Sequence, residues 1–311
     1  MKLLKVVLGS LGLWLSITLS AQDAPAELSR FNRLLRIESF HSELVVARTI
    51  DLYLPPVAYD SLQLLIAHDG QMLFDATRTW NGQEWGFDES LDSLHKQGKI
   101  APTLLVGIWN IDTLRHREYF PQKAYQLLPS PYRDSLESAL KRPSKESSLF
   151  AGGPQSDAYL HFITTELLPY LHQHFPIKKE AQFIMGSSMG GLISMYATLE
   201  YPQVFKGAAC LSTHWIGKWD DENNPIPQAF LDYMNSRLQS ISERPRFYFD
   251  CGDETLDRFY PPHQLAVDHL FWPYYKGVRS EYKSLRFPGA DHSENAWRER
   301  LAPILEYLLR P

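Results

Sequence analysis

Phe183-Ile184-Met185-Gly186-Ser187-Ser188-Met189-Gly190-Gly191 reads as the end of a buried strand, a tight turn and the first turn of a helix. Three apolar residues stop at Gly186, and a second apolar run, Leu192 to Leu199, ends before Pro202, which cannot continue a helix. Between them lies Gly-x-Ser-x-Gly, centred on Ser188. A sharp strand-to-helix turn holds such a serine in a strained backbone conformation and lifts its hydroxyl above the sheet. The spacing predicts that side chains at 186 and 190 would clash with neighbouring backbone. The positive end of the following helix favours a developing negative charge, and Met189 supplies the first N–H there. Ser187 lacks glycines two residues to either side, so Ser188 is the candidate nucleophile.

Working outward, short apolar runs recur at Leu64–Ala67, Thr103–Ile108, Ala208–Leu211, Phe247–Phe249 and Tyr282–Phe287, several closed by Gly or Pro-Gly. Leu44 to Leu54 reads as an early strand or hairpin ended by Pro55-Pro56. Helical spacing falls between the runs: Leu160–Phe175 with a kink at Pro169, a segment opened by Pro261-Pro262 and ending near Gly277, and a C-terminal face of Trp297, Leu301, Ile304, Leu305 and Leu308. Gln122 to Gln155, rich in Pro, Ser and charge, reads as an excursion over the sheet, either a partial lid or a solvated loop. Continuous buried strands alternating with helices predict an α/β architecture, a mostly parallel central sheet with helices on both faces.

The chain order serine, acid, histidine is that of the α/β-hydrolase fold. Four of the 11 histidines follow Ser188. His263 and His269 fall inside an expected helix and His214 follows an earlier strand. His292 stands in Pro288-Gly289-Ala290-Asp291-His292, directly after the last strand, where a general base is expected. The acid belongs in the loop after Phe247–Phe249, which reads Asp250-Cys251-Gly252-Asp253-Glu254-Thr255-Leu256-Asp257. Glu254 is preferred, with Asp257 second. Some of these carboxylates are expected to serve only as helix caps. The oxyanion hole needs two backbone N–H groups, assigned to Met189 and to Gln71 in His68-Asp69-Gly70-Gln71, where Gly70 permits a tight turn.

In these segments the sequence resembles the putative-esterase family of α/β-hydrolases, which includes enterochelin-type siderophore esterases, feruloyl and acetylxylan esterases, S-formylglutathione hydrolases and mycolyltransferases. His68-Asp69-Gly70-Gln71-Met72-Leu73-Phe74 resembles its oxyanion loop, and Arg115-His116-Arg117-Glu118-Tyr119-Phe120-Pro121 its Arg…Glu-Tyr-x-Pro segment. Gly186 to Gly191 resembles its nucleophile elbow, and Gly289-Ala290-Asp291-His292 with Trp297 its histidine segment. The resemblance implies ester hydrolysis by a Ser-His-acid triad through an acyl-enzyme. The sequence departs from the family where many members place an Asp three residues after the glycine that ends the acid strand: here that position is Thr255.

His214-Trp215 follows the strand ending near Ser212 and is a candidate substrate-binding pair, and Trp80 and Trp85 follow the oxyanion loop. Arg115 and Glu118 are expected to pair with each other in the pocket wall or at the surface. His172 and His174 are two apart on a helix, so they point in different directions and no metal site is expected. No phosphate loop or dinucleotide fingerprint is found, and no cofactor is implied. Cys210 and Cys251 close neighbouring apolar runs and are expected to be buried free thiols.

A net charge of −5 and the absence of any Lys/Arg stripe argue against nucleic acid as a partner. Residues 1–21 read as a signal peptide, with Lys2 and Lys5, an apolar stretch from Val6 to Leu19, and cleavage after Ala21. That stretch is short for a membrane anchor, so no stable membrane insertion after cleavage is expected. The reading is then a single hydrolase domain over 22–311, secreted or periplasmic, acting on a small-molecule or glycan ester. An acyltransferase of the same fold and a non-enzymatic glycan-binding module are the alternatives.

Overall fold

A computed structural model describes residues 33–139, 149–150 and 152–310. The signal peptide expected over 1–21 lies outside the described residues. Eight strands form one sheet: β1 Leu34–Phe40, β2 Arg48–Tyr53, β3 Leu62–His68, β4 Thr103–Ile108, β5 Ile177–Ser187, β6 Gly207–Leu211, β7 Arg246–Cys251 and β8 Tyr282–Arg286. Their spatial order is β1-β2-β4-β3-β5-β6-β7-β8. β3 to β8 run parallel, and β2 pairs antiparallel with both β1 and β4.

The helices are α1 Phe87–Lys96, α2 Arg115–Tyr119, α3 Gln122–Leu127, α4 Ser130–Ala139, α5 Ser156–Phe162, α6 Leu168–His174, α7 Met189–Glu200, α8 Ile226–Ser240, α9 Tyr260–Tyr275 and α10 Glu294–Leu309. The excursion from Gln122 therefore begins as helices α3 and α4. A π turn, Ile163–Leu167, joins α5 to α6. Pro169, which has no N–H for the helical ladder, lies just beyond it.

All seven residues of β3 are buried, as strands covered on both faces must be. Alternate residues feed two cores. Leu64 and Ile66 pack with α7, α8 and α9 on one face, and Leu65 and Ala67 with α1 and α10 on the other. Each such Leu or Ile contributes about 1.5–3 kcal/mol on burial, which makes a one-residue register slip prohibitive. Parallel pairing leaves the ends of β3, β5, β6, β7 and β8 along one edge of the sheet. In an open parallel sheet that carboxyl edge is where functional loops gather. Cys210 and Cys251 are buried free thiols on β6 and β7.

Candidate active site

Ser188 sits between β5 and α7 with φ 56° and ψ −121°, a conformation that is strained for a residue with a side chain. Its N–H donates to Leu211 O at 2.9 Å, and its own carbonyl accepts from Gly191, Leu192 and His214. The turn is tightest at Gly186, where a Cβ would lie 2.8–2.9 Å from the Gly190 backbone. The clash expected at 190 is not found. A Cβ there would meet Asp69 Oδ2 and His68 Cβ at 3.4 Å, ordinary contact distance.

His292 lies in the loop after β8. Its Nδ1 stands 2.5 Å from Asp257 Oδ1, with 13% of the His292 side chain exposed and none of Asp257. Asp257 Oδ2 accepts from Gly252 N and from Ser212 Oγ, both at 2.6 Å. Ser212 Oγ in turn accepts from Trp297 Nε1 at 2.9 Å and Arg300 at 3.1 Å. Arg300 clamps buried Asp250 with two 3.0 Å bonds. The Trp297 ring meets His292 edge to face, with centroids 5.1 Å apart.

The carboxylate that meets His292 is Asp257, the second choice from the sequence, and not the preferred Glu254. Glu254 is exposed and starts the short 3-10 turn Thr255–Phe259, which carries Asp257 back beneath His292. Thr255, at φ 51°, makes that reversal and accepts the His292 N–H at 2.9 Å. The two loops interlock at Gly252, where a Cβ would lie 2.0 Å from Ala290 O. Asp253 fastens the histidine loop by accepting from Gly289 N and Arg286.

The loop after β3 turns at Asp69, φ 57°, into the 3-10 turn Gly70–Met72. Met72 N–H bonds Asp69 O at 2.8 Å, whereas the Gln71 N–H has no carbonyl within that turn to bond, and the same holds for Met189 at the start of α7. Asp69 is held by Asn110 at 2.6 Å and by Arg115 at 2.7 and 2.8 Å. The expected Arg115–Glu118 pair is therefore not formed. Glu118 instead makes a buried bidentate pair with Arg48 at 2.6 and 2.8 Å. Burial pushes His68 down to about 3, so it is neutral beneath the loop.

The candidate substrate-binding pair His214 and Trp215 is buried. Trp215 is 1% exposed, donates to Gln264 at 2.9 Å and packs on Phe230 and Phe249. His214 is buried, with Nδ1 2.7 Å from Tyr260 Oη. Trp85 is buried against Phe87 and Trp297, whereas Trp80 is 85% exposed. Among the described residues no cluster of His, Cys, Asp or Glu could hold a metal ion.

Tyr260 was not singled out from the sequence. Its hydroxyl lies 2.7 Å from the Nδ1 of His214, whose backbone N–H bonds the Ser188 carbonyl, and its ring stands edge-on to His292 at 5.8 Å. Its spacing of three residues from Asp257, one turn of 3-10 helix, was the available signal. Tyr260 thus joins the serine turn to the imidazole. A hydroxyl at a helix N-terminus and an imidazole oriented by a buried carboxylate, both carried on loops at the carboxyl edge of the sheet, are groups suited to acyl transfer.

Known proteins share this framework. The family model described as putative esterase matches residues 42–308. The uncharacterized protein YbbA of Bacillus subtilis is 29% identical over 174 residues, 54% of this chain and 58% of YbbA. The ferri-bacillibactin esterase BesA of the same organism is 28% identical over 123 residues, 37% of this chain and 38% of BesA. The matched regions thus span little more than half of one curated relative and well under half of the other. An IroE-like serine hydrolase from Shewanella oneidensis superposes with a TM-score of 0.62 at 18% identity, covering 89% of this chain and 78% of that one.

Proposed function

The chain belongs to the putative-esterase family, and on that premise we propose that it is a serine carboxylic-ester hydrolase. Ser188 is the nucleophile, His292 the base and Asp257 the acid, with Met189 and Gln71 N–H groups as the oxyanion hole. The observation that carries the reading is the buried Asp257 carboxylate 2.5 Å from His292 Nδ1. Asp257 fixes the imidazole tautomer, leaving Nε2 bare to accept a proton. Ser188 Oγ attacks the ester carbonyl while its proton passes to His292. The tetrahedral oxyanion rests on the two N–H groups, and collapse expels the alcohol, which takes the proton back from His292. Water then repeats the sequence on the acyl-enzyme and releases the acid.

The substrate class is a small ester of the siderophore or acylated-carbohydrate kind. The name of BesA supports the first. Residues 1–21 direct export, and 22–311 act as one hydrolase unit. A panel of p-nitrophenyl acetate, methyl ferulate and a catecholate trilactone tests the reading. Hydrolysis of at least one, lost in Ser188→Ala, supports it. Hydrolysis undiminished in Ser188→Ala contradicts it. Edman or mass analysis of the exported protein, beginning at Gln22, tests the leader.

A further inference from the structure

Ser212 stands one residue beyond β6, wholly buried, at φ 41°, a left-handed conformation that is strained for a residue with a side chain. Its N–H is shared between the Asp250 carbonyl at 2.9 Å and Asp250 Oδ1 at 3.1 Å. Ser212 Oγ meets three groups: Asp257 Oδ2 at 2.6 Å, Trp297 Nε1 at 2.9 Å and Arg300 Nη2 at 3.1 Å. An indole N–H and a guanidinium can only donate. They take up the lone pairs of the hydroxyl, and of the three groups only Asp257 Oδ2 can accept its proton. The donors around Ser212 thus fix the direction of its O–H bond.

Arg300 meets the two oxygens of Asp250 through Nε and Nη2, both at 3.0 Å, and Tyr248 Oη adds a third bond to that carboxylate at 3.0 Å. The guanidinium is thus matched to Asp250 and reaches Asp257 through the Ser212 hydroxyl. Asp257 keeps Oδ1 for His292, while Ser212 Oγ and Gly252 N tether Oδ2 at 2.6 Å each. We propose that Ser212 is a positioning residue for ester hydrolysis. Its hydroxyl, polarised by Arg300 and Trp297, holds the Asp257 plane toward His292 and tempers the charge on it. The imidazole is then held in line to take a proton from serine or water and free enough to return it. No bond forms or breaks at Ser212, and its proton stays on Oγ. His292 takes and returns a proton in acylation and again in deacylation, so Ser212 serves both steps alike. The other ionisable groups around the pair are Asp250 and Cys251 on β7, Tyr260 on α9 and His214 after β6. Burial raises Cys251 and Tyr260 and lowers His214, so these three stay neutral near pH 7.

The role rests on the proposed Ser188–His292–Asp257 triad, and the test separates the two ideas. Two variants of the full chain lose the hydroxyl and differ in backbone strain. Ser212→Ala keeps a Cβ at positive φ, whereas Ser212→Gly relieves that strain and should melt at a higher temperature than Ser212→Ala. With p-nitrophenyl acetate both should lose about tenfold in kcat, the loss of one hydrogen bond to a charged group, with KM within about twofold of wild type. Fluorophosphonate labelling of Ser188 should slow by a similar factor. The acid limb of kcat/KM should move about half a unit to higher pH, because a carboxylate that has lost a donor holds the imidazolium proton more firmly. A kcat loss that follows melting temperature, larger in Ser212→Ala than in Ser212→Gly, with the acid limb unmoved, makes Ser212 merely structural and overturns the proposal. So do wild-type kcat and labelling in either folded variant. A wild type that neither cleaves the ester nor takes label removes the triad and this role with it, whereas a labelled wild type with unaffected variants removes this role alone.

Discussion

His292 and Asp257 stand 2.5 Å apart although they are 35 residues apart in the chain, and the carboxylate is wholly buried. Asp257 also takes two further hydrogen bonds, from Gly252 N and Ser212 Oγ, that fix its plane. An imidazole aligned by so constrained a partner loses little orientational freedom when it accepts a proton. Asp257→Asn should therefore reduce turnover by about 10³–10⁴-fold, because the amide favours the wrong tautomer. Glu254→Gln, at an exposed position, should leave kcat within about twofold, as surface changes usually do. Steady-state kinetics on both variants checks the assignment. A mild Asp257→Asn and a crippled Glu254→Gln would restore the order first read from the sequence.

Asp69 links the loop after β3, the proposed oxyanion loop, to Arg115 through two bonds of 2.7 and 2.8 Å. Asn tolerates the left-handed backbone at this position, so Asp69→Asn tests the charge and not the turn. Loss of the ion pair should loosen the loop that carries Gln71, with kcat falling by about tenfold or more and KM changing less. Unchanged kcat with a lowered melting temperature would make the pair purely structural.

Trp215 is a core residue, so its replacement should cost stability and not affinity. Trp215→Ala is expected to lose about 3–5 kcal/mol. Trp215→Phe, which keeps most of the apolar contact, should remain folded with KM near wild type. Denaturant unfolding together with KM measurement distinguishes this from a substrate-stacking role.

The pH dependence of stability follows from His68. Its folded value of about 3 lies below the ordinary histidine range near 6.5. The unfolded chain therefore binds a proton that the folded one refuses as pH falls below about 6.5, so stability drops on acidification through that window and the loss ends only near the folded value. His68 contributes a slope of at most about 1.4 kcal/mol per pH unit there. His68→Gln should show a shallower decline than wild type between pH 6.5 and 4.5 in unfolding titrations. Parallel curves would mean that His68 is not held neutral.

The strands that place the site were legible because burial on both faces makes them continuous apolar runs: Thr103–Ile108 coincides with β4. β5 is longer than its apolar signal because Lys178, Lys179 and Glu180 extend it while exposed. β1, Leu34–Phe40, was missed: it is a sheet-edge strand with exposed Glu38 and Ser39, and its pattern is too weak to read. The turn at Ser188 was legible from local chemistry: the strand–glycine–serine–helix junction read there is the one that β5 and α7 form. The Asp257–His292 contact was not, because the chain reverses after Gly252 with a positive φ at Thr255, which no periodicity encodes. The burial of Trp215 is illegible for a similar reason: in a loop, spacing says nothing about which way a side chain points.

The proposed mechanism depends first on Ser188 as the reactive hydroxyl. Intact-mass and peptide mapping after fluorophosphonate treatment reads this in one measurement. The prediction is a single adduct on Ser188, absent in Ser188→Ala and formed far more slowly in Asp257→Asn. An ester-cleaving protein that carries no adduct, or carries it on Ser187 or elsewhere, would contradict it.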